Sequence, residues 1–342
     1  MEIRSRAPLR LGFAGGGTDL LSYSDFYGGA VFNATINMYA HCTIIPTDNN
    51  IIKIVAYDNQ NNIEIESKSF LPIEDEKLIL HKGVYNRIVK DFNNNKPLSF
   101  EMYTSNDAPS GSGLGTSSTM VVAILEAFCK WLKIDLSNYE KAQLAYDIER
   151  NDLNLKGGKQ DQYCAVFGGF NFMEFLQNGS VVINSLRLNK DIINELESSL
   201  ILYYNGRSRS SSKIISEQIK NTSNKNVQTI DAMHLIKQSS LEMKNAIIYG
   251  SFNDFSNILK TAWENKKKTS NSITNPEIER VVDYVNANGA KAVKISGAGG
   301  GGFMMININP INRQKMLDAL KTLAGQTFPV GFTDVGVESW II

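Results

Sequence analysis

Three glycine clusters carry the residues best suited to chemistry. The middle one, Pro109, Gly111, Ser112, Gly113, Leu114, Gly115, Thr116, Ser117 and Ser118, lies between a strand pattern and a helix pattern. Glycines let backbone N–H groups converge on one point. The helix N-terminus that follows adds free donors and partial positive charge, and together these cradle phosphate. The hydroxyls of Thr116, Ser117 and Ser118 can cap the helix, donate to phosphate or ligate Mg²⁺. No Gly-Lys-Ser/Thr occurs anywhere in the chain, so this is not a Walker loop. An ordinary glycine-rich loop with serine caps is the competing reading.

The last cluster, Gly297, Ala298, Gly299, Gly300, Gly301 and Gly302, matches the spacing of a dinucleotide fingerprint. That fingerprint needs a helix after it, whereas residues 303–308 have the apolar pattern of a strand, which excludes a Rossmann site. Consecutive glycines between two strands indicate a backbone pressed against a ligand or another loop. The first cluster places Arg10 on an apolar strand ahead of Gly15, Gly16, Gly17, Thr18 and Asp19. Asp19 can receive polyol hydroxyls or cap the next helix.

Two acids stand between the middle and last clusters. Glu149 shares a helical face with Ala142, Ala145 and Leu153, so its carboxylate points inward and needs a cation or a surface partner such as Arg150 or Lys156. Asp161 follows Gly157, Gly158 and Lys159, where it can accept a proton from an attacking hydroxyl or serve as a turn residue. Arg207 and Arg209, among serines and ahead of a helix, suit a phosphate ester; a solvated basic loop is the alternative. Lys266, Lys267 and Lys268 read as a solvated helix face. His41, His81 and His234 have no metal spacing.

The elements that must hold these groups alternate irregularly. Strand patterns run over residues 31–46, 51–57, 62–67, 98–103, 170–175, 181–188, 200–204, 292–295, 303–308 and 335–342. Helix patterns cover 118–134, 137–151, 229–249, 252–269 and 277–287, the second opened by a Ser137/Glu140 capping box and the last by Pro276. Without a regular βαβ rhythm the class is α+β. A length of 342 residues predicts two domains, divided here as 1–192 and 193–342. Lys and Arg (35) balance Asp and Glu (35), so no basic field exists to hold nucleic acid or an anionic membrane. Three dispersed cysteines indicate neither a disulfide framework nor a zinc site, and no apolar run is long enough to span a bilayer. A cytoplasmic protein is expected.

The three clusters in this order, with Asp161 between the second and third, resemble the GHMP small-molecule kinases. The resemblance covers nearly the whole chain. It implies a two-domain α+β fold, with an N-terminal part like ribosomal protein S5 domain 2 and a ferredoxin-like C-terminal part. It also implies ATP and Mg²⁺ as cofactors and a small-molecule acceptor, with a homodimer as one expectation. The first motif departs from the Gly-Glu-His-Thr-Asp-Tyr of galactokinases. It is similar to that of the family's heptose 7-phosphate kinases, with fucokinases as near relatives. That branch implies phosphorylation of the anomeric hydroxyl to a 1,7-bisphosphate, toward GDP-heptose for surface polysaccharide. The alternatives are a kinase for another sugar and a non-catalytic nucleotide-binding regulator.

By motif position the resemblance implies that Asp161 is the catalytic acid with Arg10 beside it, and that residues 109–118 hold ATP. Ser117 and Glu149 become the Mg²⁺ ligands, although the interval from Glu149 to Asp161 is one residue longer than in mevalonate kinases. Substrate binding falls to Gly16, Gly17, Thr18, Asp19, Lys159, Gly297, Ala298, Gly299 and Gly300. Arg207 and Arg209 are the candidates for the acceptor's own phosphate.

Overall fold

The computed structural model describes residues 1–58, 60–74, 77–206 and 211–342. Its strands open with β1 (Ile3–Ala14), β2 (Gly29–Pro46), β3 (Ile51–Ala56), β4 (Asn61–Glu66), β5 (Phe100–Asn106), β6 (Phe170–Phe175) and β7 (Val181–Leu186). They continue with β8 (Leu200–Tyr204), β9 (Ala290–Ile295), β10 (Phe303–Ile308), β11 (Gln326–Phe328) and β12 (Glu338–Ile341). The helices begin with α1 (Leu21–Tyr27), α2 (Ile79–Phe92), α3 (Thr116–Leu132), α4 (Asn138–Asp147), α5 (Gln160–Phe167) and α6 (Lys190–Ser199). After them come α7 (Ser211–Ser223), α8 (Val227–Ile248), α9 (Phe252–Lys267), α10 (Pro276–Ala287) and α11 (Arg313–Leu320).

Two sheets organise the chain, in keeping with an α+β class. The larger has the order β12-β1-β2-β5-β3-β4, with β6 and β7 extending from the other end of the long strand β2. The smaller has the order β11-β8-β10-β9. In β8 and β10 successive residues face opposite cores: Leu202 and Met305 pack toward the larger sheet, Ile201 and Ile306 toward α10 and α11. Burial on both faces explains why these strands read as near-continuous apolar runs, interrupted in β10 by Asn307. One core joins the halves, since Leu11, Phe13 and Phe32 pack with Leu202, Phe255 and Phe303. The apolar terms holding the two halves are therefore the same ones that fix the space between them.

The expected closing strand at 335–342 does not complete the C-terminal half. Within it the strand β12 pairs antiparallel with β1, and Glu2 and Ile342 exchange backbone hydrogen bonds of 2.9 Å. The division at residue 192 is thus crossed by the last strand. β5 also lies later than its alternation suggested, because residues through Asn106 find partners on β2.

The asparagine-rich composition has local uses. Asn189, Asn226 and Asn275 cap α6, α8 and α10 through their side-chain oxygens, while Asn50, Asn94, Asn95 and Asn154 adopt the left-handed conformation. The Ser137/Glu140 capping box is formed in full. The helix it opens ends at Asp147 and continues as a π turn, Ile148–Asp152, carrying Glu149. A π turn takes up more residues per turn than an α turn, and Glu149 stands within this one. α2 braces it: a Cβ at Gly83 would lie 2.8 Å from the Leu153 side chain, so that helix approaches closely.

Candidate active site

All three glycine clusters meet at one cleft between the sheets. Its lining includes Arg10, Gly17 and Asp19 from the first and Gly111, Gly113, Gly115, Thr116, Ser117 and Ser118 from the second. Gly297, Ala298, Gly299 and Gly301 come from the third, with Glu149 and Asp161 between. The β1–β2 ladder shifts register between Pro8 and Arg10 and again between Gly12 and Ala14. Such irregularities re-aim side chains, and here they flank the strand segment that bears Arg10.

Arg10 ties the clusters together. Its Nε and Nη2 both lie 2.8 Å from Asp161 Oδ1, while Nη1 donates to the Gly113 carbonyl at 2.6 Å and more weakly to Ser296 Oγ at 3.4 Å. The buried guanidinium thus holds the acid at the start of α5 and both other loops at once. Asp161 Oδ2 faces Gly115, where an added Cβ would sit 3.4 Å from it. The acid therefore adjoins the N-terminus of α3. That terminus has Gly115 in the left-handed conformation and no side-chain cap, so its first N–H groups stay available to an anion.

The third cluster presses against the second loop. A Cβ on Gly297 would come within 2.6 Å of the Gly113 carbonyl, one on Gly113 within 2.4 Å of the Ser296 carbonyl, and one on Gly302 within 2.3 Å of the Ser112 carbonyl. Phe303 N–H donates to that Ser112 carbonyl at 2.8 Å. Of the two readings left open for consecutive glycines, packing on another loop accounts for Gly297 and Gly302. Gly299 meets Ile273 in the same way, and Gly300 N–H donates to the Ile273 carbonyl at 2.7 Å, so Gly300 is turned to structure and does not line the cleft.

Several expected contacts fall elsewhere. Thr18 is fully buried, accepting from Ala30 N–H and donating toward the Gly15 and Ala30 carbonyls, so its hydroxyl closes the loop and does not face the cleft. Lys159 sends its ammonium to the Gly179 carbonyl at 2.8 Å and over the Tyr146 ring, away from the cleft. Pro109 and Leu114 give their carbonyls to Ser112 and Arg10, and Gly16 gives its carbonyl to a lysine. Arg207 and Arg209 lie outside the described residues.

Asp19 does cap a helix, but not the next one. It accepts from the N–H of Gln160, opening α5, at 3.1 Å, from Gln160 Nε2 at 3.1 Å and from Gly17 N–H at 3.0 Å. Burial pushes its carboxyl above the ordinary value; the bond from Gln160 opposes this and the nearby Asp161 carboxylate adds to it. Glu149 is buried, accepting from Gln162 Nε2, with Arg150 Nη1 at 3.6 Å.

The cations that sequence patterns missed are Lys266 and Lys294. Lys266 is buried in the cleft and donates to the Gly16 carbonyl at 3.0 Å, which corrects its reading as part of a solvated face. Burial is the main cause lowering its ammonium to about 8, with Asp19 pulling the other way. Lys294 is buried too, donating to the Gly12 carbonyl at 2.6 Å, and burial beside Lys266 and Arg10 holds it well below the ordinary lysine value. A helical count was the available signal for Lys266, because Phe255, Leu259 and Ala262 form a buried stripe that reaches position 266. The cleft lining carries four basic side chains, Arg10, Arg150, Lys156 and Lys266, three acids, Asp19, Glu149 and Asp161, and an uncapped helix N-terminus, a set that suits a polyanion held beside a hydroxyl-bearing ligand.

Comparison with known proteins agrees with the motifs. The GHMP kinases N terminal domain matches residues 80–169, and the GHMP kinases C terminal domain matches residues 239–324. The D-glycero-alpha-D-manno-heptose 7-phosphate kinase of Campylobacter jejuni is 46% identical over 340 residues, 99% of each chain. The crystal structure of a D-glycero-D-manno-heptose 1-phosphate kinase from Bacteroides thetaiotaomicron matches with a TM-score of 0.86 at 46% identity, covering 99% of both chains. The L-fucokinase/L-fucose-1-P guanylyltransferase of Bacteroides fragilis is 26% identical over 87% of this chain, which spans 34% of that longer protein. The order of the motifs, the convergence of their residues on one cleft and similarity over the full length lead to one assignment: the chain belongs to the GHMP kinase family.

Proposed function

We propose that this protein transfers the γ-phosphoryl group of ATP to the anomeric hydroxyl of D-glycero-D-manno-heptose 7-phosphate, giving the 1,7-bisphosphate and ADP. The observation that carries this reading is the Asp161 carboxylate, fixed through Oδ1 by Arg10 and presenting Oδ2 beside the uncapped N-terminus of α3. Donor phosphate and acceptor hydroxyl then sit side by side. Full-length similarity to the two heptose phosphate kinases supports the choice of acceptor.

In this reading the N–H groups of residues 111–118, other than Ser112 whose N–H is taken by the Pro109 carbonyl, hold the nucleotide phosphates. Asp161 accepts the hydrogen bond of the sugar hydroxyl and aligns its oxygen with the γ-phosphorus. As that oxygen bonds to phosphorus, the bond to the β-bridging oxygen breaks and the hydroxyl proton passes to Asp161. Phosphoryl transfer has a loose transition state, so alignment and charge neutralisation supply most of the acceleration. Arg10 fixes the acid's direction and adds positive charge. Asp19 and Gly17 face the acceptor. Residues 1–192 provide the phosphate loop and both acids, and the C-terminal half provides the third cluster and Lys266.

The donor set around Glu149 fits Mg²⁺. The carboxylate is buried beside the cleft, and the Oε1 of the neighbouring Gln162, an oxygen able to face a cation, has no hydrogen-bond partner among the described residues. Ser117 and Glu149 would hold the ion, together with nucleotide phosphates, and the ion would neutralise phosphate charge. Among the described residues no three acidic, histidine or cysteine side chains converge, and Mg²⁺ shared with phosphates needs no such cluster. No helix among the described residues is long and apolar enough to cross a membrane.

The test is ADP release with heptose 7-phosphate, free heptose, fucose and galactose, with phosphorus NMR of the product. The names of the two heptose kinases place phosphate at different carbons, so the position phosphorylated is part of the result. Turnover confined to an unphosphorylated sugar would refute the acceptor assignment. Asp161→Asn should bind an ATP analogue normally and turn over at least ~100-fold more slowly.

A further inference from the structure

Lys266 crosses from the C-terminal half into the first cluster. The buried stripe of α9 carries it inward, while Lys267, one position on, turns outward to Glu264 and Glu279. Its Nζ reaches the Gly16 carbonyl, and a Cβ on Gly16 or Gly17 would lie 3.6 or 3.9 Å from it. An ammonium has three N–H donors, and leaving any unused in a buried place is costly. Among the described residues the bond to Gly16 is the only hydrogen bond the Lys266 ammonium makes, and it forms no ion pair.

The surrounding charges indicate what fills the remaining donors. Asp19 and Asp161 attract the ammonium, and Arg10 and Lys294 repel it. A phosphate placed between the two carboxylates would be repelled by both, whereas hydroxyls donate to carboxylates and accept from an ammonium. The nucleotide loop meets Asp161 at Gly115, whereas the side chains nearest a Cβ on Gly16 or Gly17 are those of Gln160, Gln218, Met233 and Lys266.

We propose that Lys266 is an acceptor-binding residue, whose two spare N–H groups hydrogen-bond to hydroxyl oxygens of the sugar seated between Asp19 and Asp161. The assignment rests on the kinase reading above. It makes the C-terminal half a direct holder of the acceptor, through a side chain that also latches the loop at Gly16. It also gives the site an alkaline limit, because the ammonium loses its proton near pH 8 and with it one donor and the charge.

Steady-state rates of wild type, Lys266→Met and Lys266→Arg decide the matter, with heptose 7-phosphate and ATP varied separately across pH. Lys266→Met should raise KM for the sugar phosphate ~10- to 100-fold while KM for ATP stays within about 2-fold. Wild-type kcat/KM for the sugar should fall above pH of about 8. In Lys266→Arg that fall should move to higher pH, because a guanidinium keeps its proton. Equal rises in both KM values, or an alkaline limb unmoved by arginine, would overturn the assignment. The arginine profile remains decisive if the methionine variant does not fold. Should wild type phosphorylate no sugar phosphate, the kinase reading fails. Calorimetry with heptose 7-phosphate then tests Lys266 alone: at least ~10-fold weaker binding to Lys266→Met, or for a poorly folded variant to Lys266→Gln, supports the role and equal affinity refutes it.

Discussion

Gly113→Ala should impair catalysis far more than it weakens the fold. Gly113 has φ +81°, and a Cβ there would come within 2.4 Å of the Ser296 carbonyl. Ordinary contact begins near 3.4 Å, so the two glycine loops must part by about 1 Å. Left-handed alanine costs ~1–2 kcal/mol and forced separation roughly as much again. The melting temperature should then fall by roughly 4–8 °C. Catalysis suffers because Arg10 Nη1 bonds both the Gly113 carbonyl and Ser296 Oγ while the same guanidinium aims Asp161. A 1 Å displacement there predicts a ~100-fold lower kcat. The control is Gly179→Ala: φ is again +81°, but nothing lies within 4 Å of the new Cβ. It should lose ~1–2 kcal/mol and keep full kcat. Differential scanning fluorimetry and ADP-coupled rates on both variants check this. Wild-type kcat in Gly113→Ala, or equal losses in both variants, would refute the inferred link between loop packing and the acid.

Other outcomes follow from the same geometry. Glu149→Gln and Ser117→Ala should each raise the Mg²⁺ concentration for half-maximal activity by roughly 10-fold or more, and unchanged Mg²⁺ titrations would remove them as ligands. His81 is buried with Nε2 against Thr104 Oγ1 at 2.8 Å, and burial lowers it from 6.5 to about 4. The unfolded chain therefore binds more protons between these values, and stability is lost as pH falls through that window. Urea unfolding at pH of about 7.5 and about 5 should show wild type losing ~2 kcal/mol more than His81→Gln. Lys159→Met should leave KM for the sugar phosphate within about 2-fold, since that ammonium turns to Gly179; a large rise would restore Lys159 to the acceptor site.

Much of this site was legible because its glycines and acids announce themselves by type and spacing. The strand after Gly302 was readable from residues 303–308, and it removed the dinucleotide reading. The sequence could not show that Gly297 and Gly302 serve the packing of one loop on another, because the partners lie at Gly113 and Ser112. Thr18 illustrates the same limit. A hydroxyl in a motif suggests substrate, yet its bonds to Gly15 and Ala30 were set by the way β2 returns beside the loop. α2 gave no start signal, opening after a left-handed Leu78 with no side-chain cap. Lys266 was legible in principle: composition suggested a solvated run, whereas the phase of α9 places one lysine of the three on the buried side.

The pairing of β12 with β1 has a consequence for the order in which the fold closes. Residues 338–341 cover the outer hydrogen-bonding edge of Ile3–Arg6, and the Arg6–Glu338 contact joins positions 332 apart in sequence. Contacts of such separation form late, and until they do the edge of β1 is open to pairing with other chains. Deleting residues 338–341 should therefore promote aggregation during refolding more than it harms the cleft itself.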